Sequence, residues 1–138
     1  MRYAILLAVL MLFALPGGLG AQSPEFNVPF TFIGWDTEFQ PGVYIIDHTH
    51  PFNLKITQTG SDHPKVKYVT LTPKGQCKND GRIYLVFEKM GDFHVLREYR
   101  NSMTNTAMST PLSKDRKAWE RNYIAKHQRG EFVLIAAR

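Results

Sequence analysis

Short apolar runs recur along this chain, each closed by turn residues, and their spacing is that of strands. Phe30-Thr31-Phe32-Ile33 ends at Gly34, and Val43-Tyr44-Ile45-Ile46 follows Pro41-Gly42. From Phe52 to Thr57, Phe52, Leu54 and Ile56 fall on one face and Asn53, Lys55 and Thr57 on the other. That alternation is the period of a half-buried strand. Val66 to Thr72 alternates likewise, with Val66, Tyr68 and Thr70 opposite Lys67, Val69 and Leu71. Arg82 to Lys89 is the strongest run, with Ile83, Leu85 and Phe87 opposite Tyr84 and Val86. Gly91-Asp92 separates it from Phe93-His94-Val95-Leu96, a tight-hairpin signal, and Asn79-Asp80-Gly81 marks another turn. Phe132 to Ile135 is a final apolar strand.

One segment breaks this rhythm. Residues 111–127 read as the single helix, with Thr110 or Ser113 as cap and Pro111 in the first turn. Ala118, Trp119, Tyr123 and Ile124 recur at helical spacing, while Arg116, Lys117 and Arg121 point elsewhere. Residues 101–110 are uncharged and rich in Asn, Ser, Thr and Met, the composition of a mobile loop. Residues 22–29 carry Pro24 and Pro29 and read as an extended lead-in. The expectation is a mainly β domain: a small antiparallel sandwich or partly open barrel of about seven strands, with a C-terminal helix before the last strand. The second to sixth strands read as a meander because their connections are short.

The first 21 residues add an address. Arg2, an apolar run from Tyr3 to Leu15, and the small-residue stretch Leu19-Gly20-Ala21 describe a secretory signal peptide, cut after Ala21. The expected product is secreted or periplasmic and spans residues 22–138 as one domain. Removing 21 of the 138 residues leaves 117, enough for a core of its own. Cys77 is the one cysteine, so no intrachain disulfide forms and stability rests on burial. Between chains, Cys77 offers a route to self-association. The formal net charge is +5, and its excess lies in the C-terminal third: nine Lys and Arg against four Asp and Glu from Phe93 to Arg138. A basic helix face formed by Arg116, Lys117 and Arg121 points to an anionic glycan or surface, or an envelope or extracellular protein, as partner; its plainer reading is a solvated face. There is no specific nucleic-acid signal.

Phe30-x-Phe32-x-Gly34, followed by Phe39-Gln40-Pro41-Gly42-Val43-Tyr44, resembles a motif of small exported bacterial proteins in which an aromatic strand precedes a Leu-Pro-Ala-Gly-x-Tyr turn and strand. Leu85 to Asp92, with Leu96 after it, resembles their central hairpin. The turn departs from the pattern, with Phe-Gln-Pro-Gly in place of Leu-Pro-Ala-Gly. The resemblance implies a β-rich exported domain and carries over no catalytic residue. Gly34-Trp35 near the mature start and a helix before the last strand are similar to lipocalin-type barrels, which implies an apolar-ligand carrier as an alternative. Six strands before the helix fall short of that family's eight-stranded barrel.

Chemistry-bearing residues are sparse. His48 and His50, with Cys77 at the same end of the meander, form the one metal constellation available, a zinc- or copper-type set with three named ligands; two exposed loop histidines and a stray thiol are the plainer reading. His63 belongs at the far end, about 26 Å away at roughly 3.3 Å per residue. No Gly-x-Ser-x-Gly, His-Glu-x-x-His or phosphate-cradling loop occurs. Asp36 with Glu38, and Glu88 with Asp92, read as solvated strand-edge acids. Phe26, Phe30, Phe32, Trp35 and Phe39 cluster near the mature start, where Phe30 and Phe32 read as core and Trp35 as a ligand contact. The functional expectation is a non-enzymatic binding or assembly module needing no cofactor, with the apolar carrier and a His48/His50 metal protein as alternatives.

Overall fold

The computed structural model describes residues 23–60, 62–127 and 130–138. The leader, residues 1–21, lies outside the described residues. The chain forms eleven strands and one helix: β1 (Glu25–Val28), β2 (Phe32–Gly34), β3 (Thr37–Phe39), β4 (Gly42–His50), β5 (Asn53–Gln58), β6 (Val66–Thr70), β7 (Thr72–Gln76), β8 (Ile83–Met90), β9 (Phe93–Asn101), β10 (Thr106–Ser109), α1 (Lys114–Lys126) and β11 (Phe132–Ala136). They make a mainly β fold with the helix before the last strand, as the pattern predicts.

The strands divide between two sheets. The smaller runs β1-β4-β5-β6, all antiparallel. The larger runs β11-β8-β9-β10-β7, with β2 added parallel to β9 and β3 paired to β2. The main core fills the space between them: Phe26, Tyr44, Ile46, Leu54, Ile56 and Val69 from one sheet meet Phe32, Leu85, Phe87, Leu96, Tyr99 and Met108 from the other. Alternation decides the faces. In β6, Val69 turns inward while Tyr68 stands in solvent. In β2, Phe32 enters this core and the next residue, Ile33, enters a second one.

That second core lies on the opposite face of the large sheet. Ile33, Met90, Val95 and Leu112 meet Trp119, Tyr123 and Ile124 of α1. The helix starts later than its sequence suggests. Ser113 is the cap, its hydroxyl accepting from Arg116 N, and Pro111 and Leu112 precede the first turn. Leu112 is buried in the second core instead. No helix among the described residues is long and apolar enough to cross a membrane.

Three further expectations are corrected. The strands number eleven because β1, β3, β7 and β10 have weak or absent apolar alternation. The segment 101–110 is no mobile loop: Ser102, Ala107, Met108 and Thr110 are buried, and β10 bridges β9 and β7. The meander breaks at Leu71, where the chain leaves the small sheet as β6 and enters the large one as β7; buried Leu71 donates its N–H to Phe52 O at 2.8 Å. The lead-in is extended, as its sequence suggests, and its residues Glu25–Val28 form β1, paired with β4 from Glu25↔Ile45 to Val28↔Gly42.

Candidate functional site

Helix α1 covers part of the outer face of the large sheet, and the rest curls around an open cleft. Pairing register builds its floor. Phe132 lies opposite Glu88, and Leu134 opposite Val86. Val86 lies opposite Glu98, and Tyr84 opposite Arg100. Arg100 in turn lies opposite Ala107, and Glu98 opposite Ser109. The main hollow, about 560 Å³, is lined by Lys74, Tyr84, Glu98, Arg100, Ala107 and Leu134 among others. A second hollow of about 260 Å³ shares Lys74 and Glu98 and adds Glu88, Arg97, Ser109 and Phe132. Both terminal strands of the sheet, β7 and β11, contribute walls, which is the geometry of a half-barrel.

A β-bulge gives the cleft its charge. Val86 pairs with Glu98 but Phe87 pairs with Leu96, so Arg97 is an extra residue in β9. A bulge sets two residues of one strand against one of its partner, and bulges concentrate where a side chain must be re-aimed. Here the consecutive residues Arg97 and Glu98 both reach the cleft face, while Leu96 and Tyr99 both stay in the main core.

Two ion clusters result. Arg97 Nε donates to Glu88 Oε2 at 2.8 Å, and the same guanidinium pairs with Glu120 of α1. Glu98 accepts from Lys74 on Oε1 and from Arg100 Nε on Oε2, the latter at 2.7 Å. Both floor carboxylates are deeply placed, Glu88 at 1% exposure and Glu98 at 3%. Glu88 Oε1 is buried and has no hydrogen-bond partner among the described residues. The walls near β11 are apolar and open, with Phe132 at 60% exposure and Leu134 at 48%. At the opposite rim, Asp80 accepts from Ser102 Oγ at 2.6 Å and from Tyr84 OH at 2.5 Å. The bond from Ser102, then that from Tyr84, holds the Asp80 carboxyl below its ordinary range. The same Asp80 contact raises the Tyr84 phenol.

The residues singled out from sequence lie mostly elsewhere. Cys77 lines the cleft, its thiol 3.5 Å from Thr106 O. The metal constellation is not assembled: among the described residues, no three His, Cys, Asp or Glu side chains are grouped to hold a metal ion. A register shift between Asp47 and His50 interrupts the extended backbone that would align a His-x-His pair. His48 packs edge-on to Tyr99 with ring centroids 5.3 Å apart, and His50 Nδ1 accepts from Phe52 N at 3.2 Å. Trp35 sits at a turn with φ 54°, its carbonyl accepting from Ser113 N at 3.2 Å, so its backbone anchors the start of α1 while its ring stays exposed. Arg116 turns to Asp36 at 3.7 Å. Lys117 and Arg121 are exposed, and with Lys114 they share one side of α1 at helical spacing.

Sequence reasoning passed over the residues that build the cleft, and Glu88 is a correction. It reads as a solvated strand-edge acid and is instead buried beside Arg97. Its signal was present: Glu88 continues the Tyr84-Val86 face of the most apolar strand. Comparison with protein families, characterised proteins and solved structures finds no match to this chain.

Proposed function

We propose that this chain is an exported, non-enzymatic binding module whose half-barrel cleft holds a small polar ligand. The observation that carries the reading is Glu88, whose side chain lines the smaller hollow while its Oε1 is buried without a partner among the described residues. Such an atom forfeits its hydration and gains nothing in return. A turn of the carboxyl toward the hollow presents it to a ligand N–H or O–H, which recovers that loss. That smaller hollow, about 260 Å³, shares Lys74 and Glu98 with the main hollow of about 560 Å³, which falls within the range of about 300–1,000 Å³ usual for small-molecule sites. A floor of charged side chains beside an apolar wall favours a polar ligand over the cargo of a lipocalin-like carrier. Export rests on the leader pattern of residues 1–21.

A thermal-shift panel of amino acids, short peptides, sugars, nucleosides, polyamines and dicarboxylates tests it. At least one class raises the melting temperature saturably, and Arg100→Gln reduces the effect. A flat response across the panel contradicts the reading.

A second surface acts separately. Lys114, Lys117 and Arg121 are exposed along α1, and none forms an ion pair among the described residues. Unspent positive charge on one helix face supports attachment to an anionic glycan or envelope surface.

A further inference from the structure

The two ion clusters in the cleft are oppositely unbalanced, and that imbalance identifies a ligand class. Around Arg97, the two carboxylates of Glu88 and Glu120 share one guanidinium. Around Glu98, the two cations Lys74 and Arg100 share one carboxylate. The first cluster carries a net negative charge and the second a net positive charge. Each also has unused bonding capacity. Glu88 Oε1 lacks a donor among the described residues. Arg100 uses Nε on Glu98, and its two terminal nitrogens have no partner among the described residues. A guanidinium edge left free in this way matches a carboxylate with two parallel bonds.

Glu88 lies two residues along β8 from Val86, the residue opposite Glu98. The two carboxyl-bearing positions are therefore diagonal neighbours, about 7–8 Å apart, and the 2.7 Å bond from Arg100 Nε to Glu98 brings the guanidinium to the Glu98 end of that span. An extended dipeptide spans about 7 Å at about 3.3–3.6 Å per residue. We infer that the cleft binds a short zwitterionic peptide of two or three residues, its ammonium on the Glu88 carboxylate once this turns into the hollow and its terminal carboxylate on Arg100 with Lys74. Phe132 and Leu134, exposed beside these two clusters, receive an apolar side chain of the peptide. This rests on the proposed function and names the substrate class of the same cleft. Both ends of the ligand are read, so a molecule carrying one charge satisfies one cluster and leaves the other unbalanced.

The test is calorimetric titration of the protein with leucyl-leucine, its N-acetyl derivative, its C-terminal amide and free leucine. Leucyl-leucine binds. Acetylation and amidation each weaken binding at least tenfold, because each removes one charge. Arg100→Gln, at a half-exposed position, narrows the distinction between peptide and amide, since Lys74 remains, but keeps that between peptide and N-acetyl peptide. Glu88→Gln does the reverse. Equal affinity for all three peptide forms overturns the inference. Failure of every peptide, while a sugar, nucleoside or other compound of the polar panel binds and Arg100→Gln weakens it, overturns the peptide class and leaves the cleft as the binding site. Failure of every compound overturns both.

Discussion

Arg97 and Glu88 join at 2.8 Å across the hairpin of β8 and β9, and the same guanidinium reaches Glu120 on α1. One side chain therefore ties the helix to the sheet at the boundary between the second core and the cleft. Removing it leaves two carboxylates facing one another without a cation, one of them buried. Breaking a buried pair from one side costs about 3–5 kcal/mol. Arg97→Ala lowers stability by that order in urea unfolding, and adding Glu88→Gln restores part of it. Equal stability of Arg97→Ala and the parent contradicts this role.

The turn at Gly91 depends on having no side chain. Its φ is 62°, and a Cβ there would run into the Tyr123 hydroxyl of α1. Left-handed backbone favours glycine, and Ala at such a position destabilises a protein by more than the roughly 0.4–1 kcal/mol that it gains at a compatible one. Gly91→Ala lowers the melting temperature, and Tyr123→Phe in the same chain relieves part of the loss by removing the hydroxyl.

Stability falls on mild acidification through His94. Its ring stacks on Phe30 with centroids 3.7 Å apart, and burial, with Lys89 nearby, lowers its pKa from 6.5. Below pH 6.5 the unfolded chain takes up a proton that the folded chain refuses, so stability drops as pH falls from 6.5 to the folded pKa and levels off beneath it. His94→Phe keeps the stack and removes the titration. Chemical unfolding between pH 8 and pH 5 shows a shallower decline in this variant; an unchanged slope contradicts the assignment.

The outer stripe of α1 is separable from the cleft. Replacing Lys114, Lys117 and Arg121 together by Gln lowers the salt needed to elute the protein from a heparin column and leaves its unfolding free energy within about 0.5 kcal/mol, as expected for surface changes. Unchanged elution shows that the stripe is merely solvated.

The contrast between legible and hidden features follows from what each strand buries. β5 buries Leu54 and Ile56 in alternation, β8 buries a nearly continuous apolar run, β11 lays Val133 and Ile135 half-buried against the core, and the Gly91-Asp92 loop joins β8 and β9 as a two-residue turn. The capping residue and apolar stripe of α1 are likewise visible. β7, Thr72-Pro73-Lys74-Gly75-Gln76, has no apolar residue and is exposed along its length, so only its pairing with β10 makes it a strand. β10 buries only two adjacent residues, Ala107 toward the cleft and Met108 toward the core, which makes no period. The cleft was hidden for a different reason. Its charges converge through the bulge at Arg97, which shifts Glu98 and Arg100 onto the face opposite to the one that strict alternation from Leu96 assigns. Charged residues in a strand read as solvent-facing until the sheet curls over them.

The measurement that bears most directly on the account is a chemical-shift map of the ¹⁵N-labelled protein titrated with the polar panel. Saturable shifts concentrated at Lys74, Glu88, Glu98, Arg100, Ala107 and Leu134 are the expected result. Shifts confined to α1 or to the outer side of β6, or none that saturate, would contradict the claim that the half-barrel is where this protein meets its ligand.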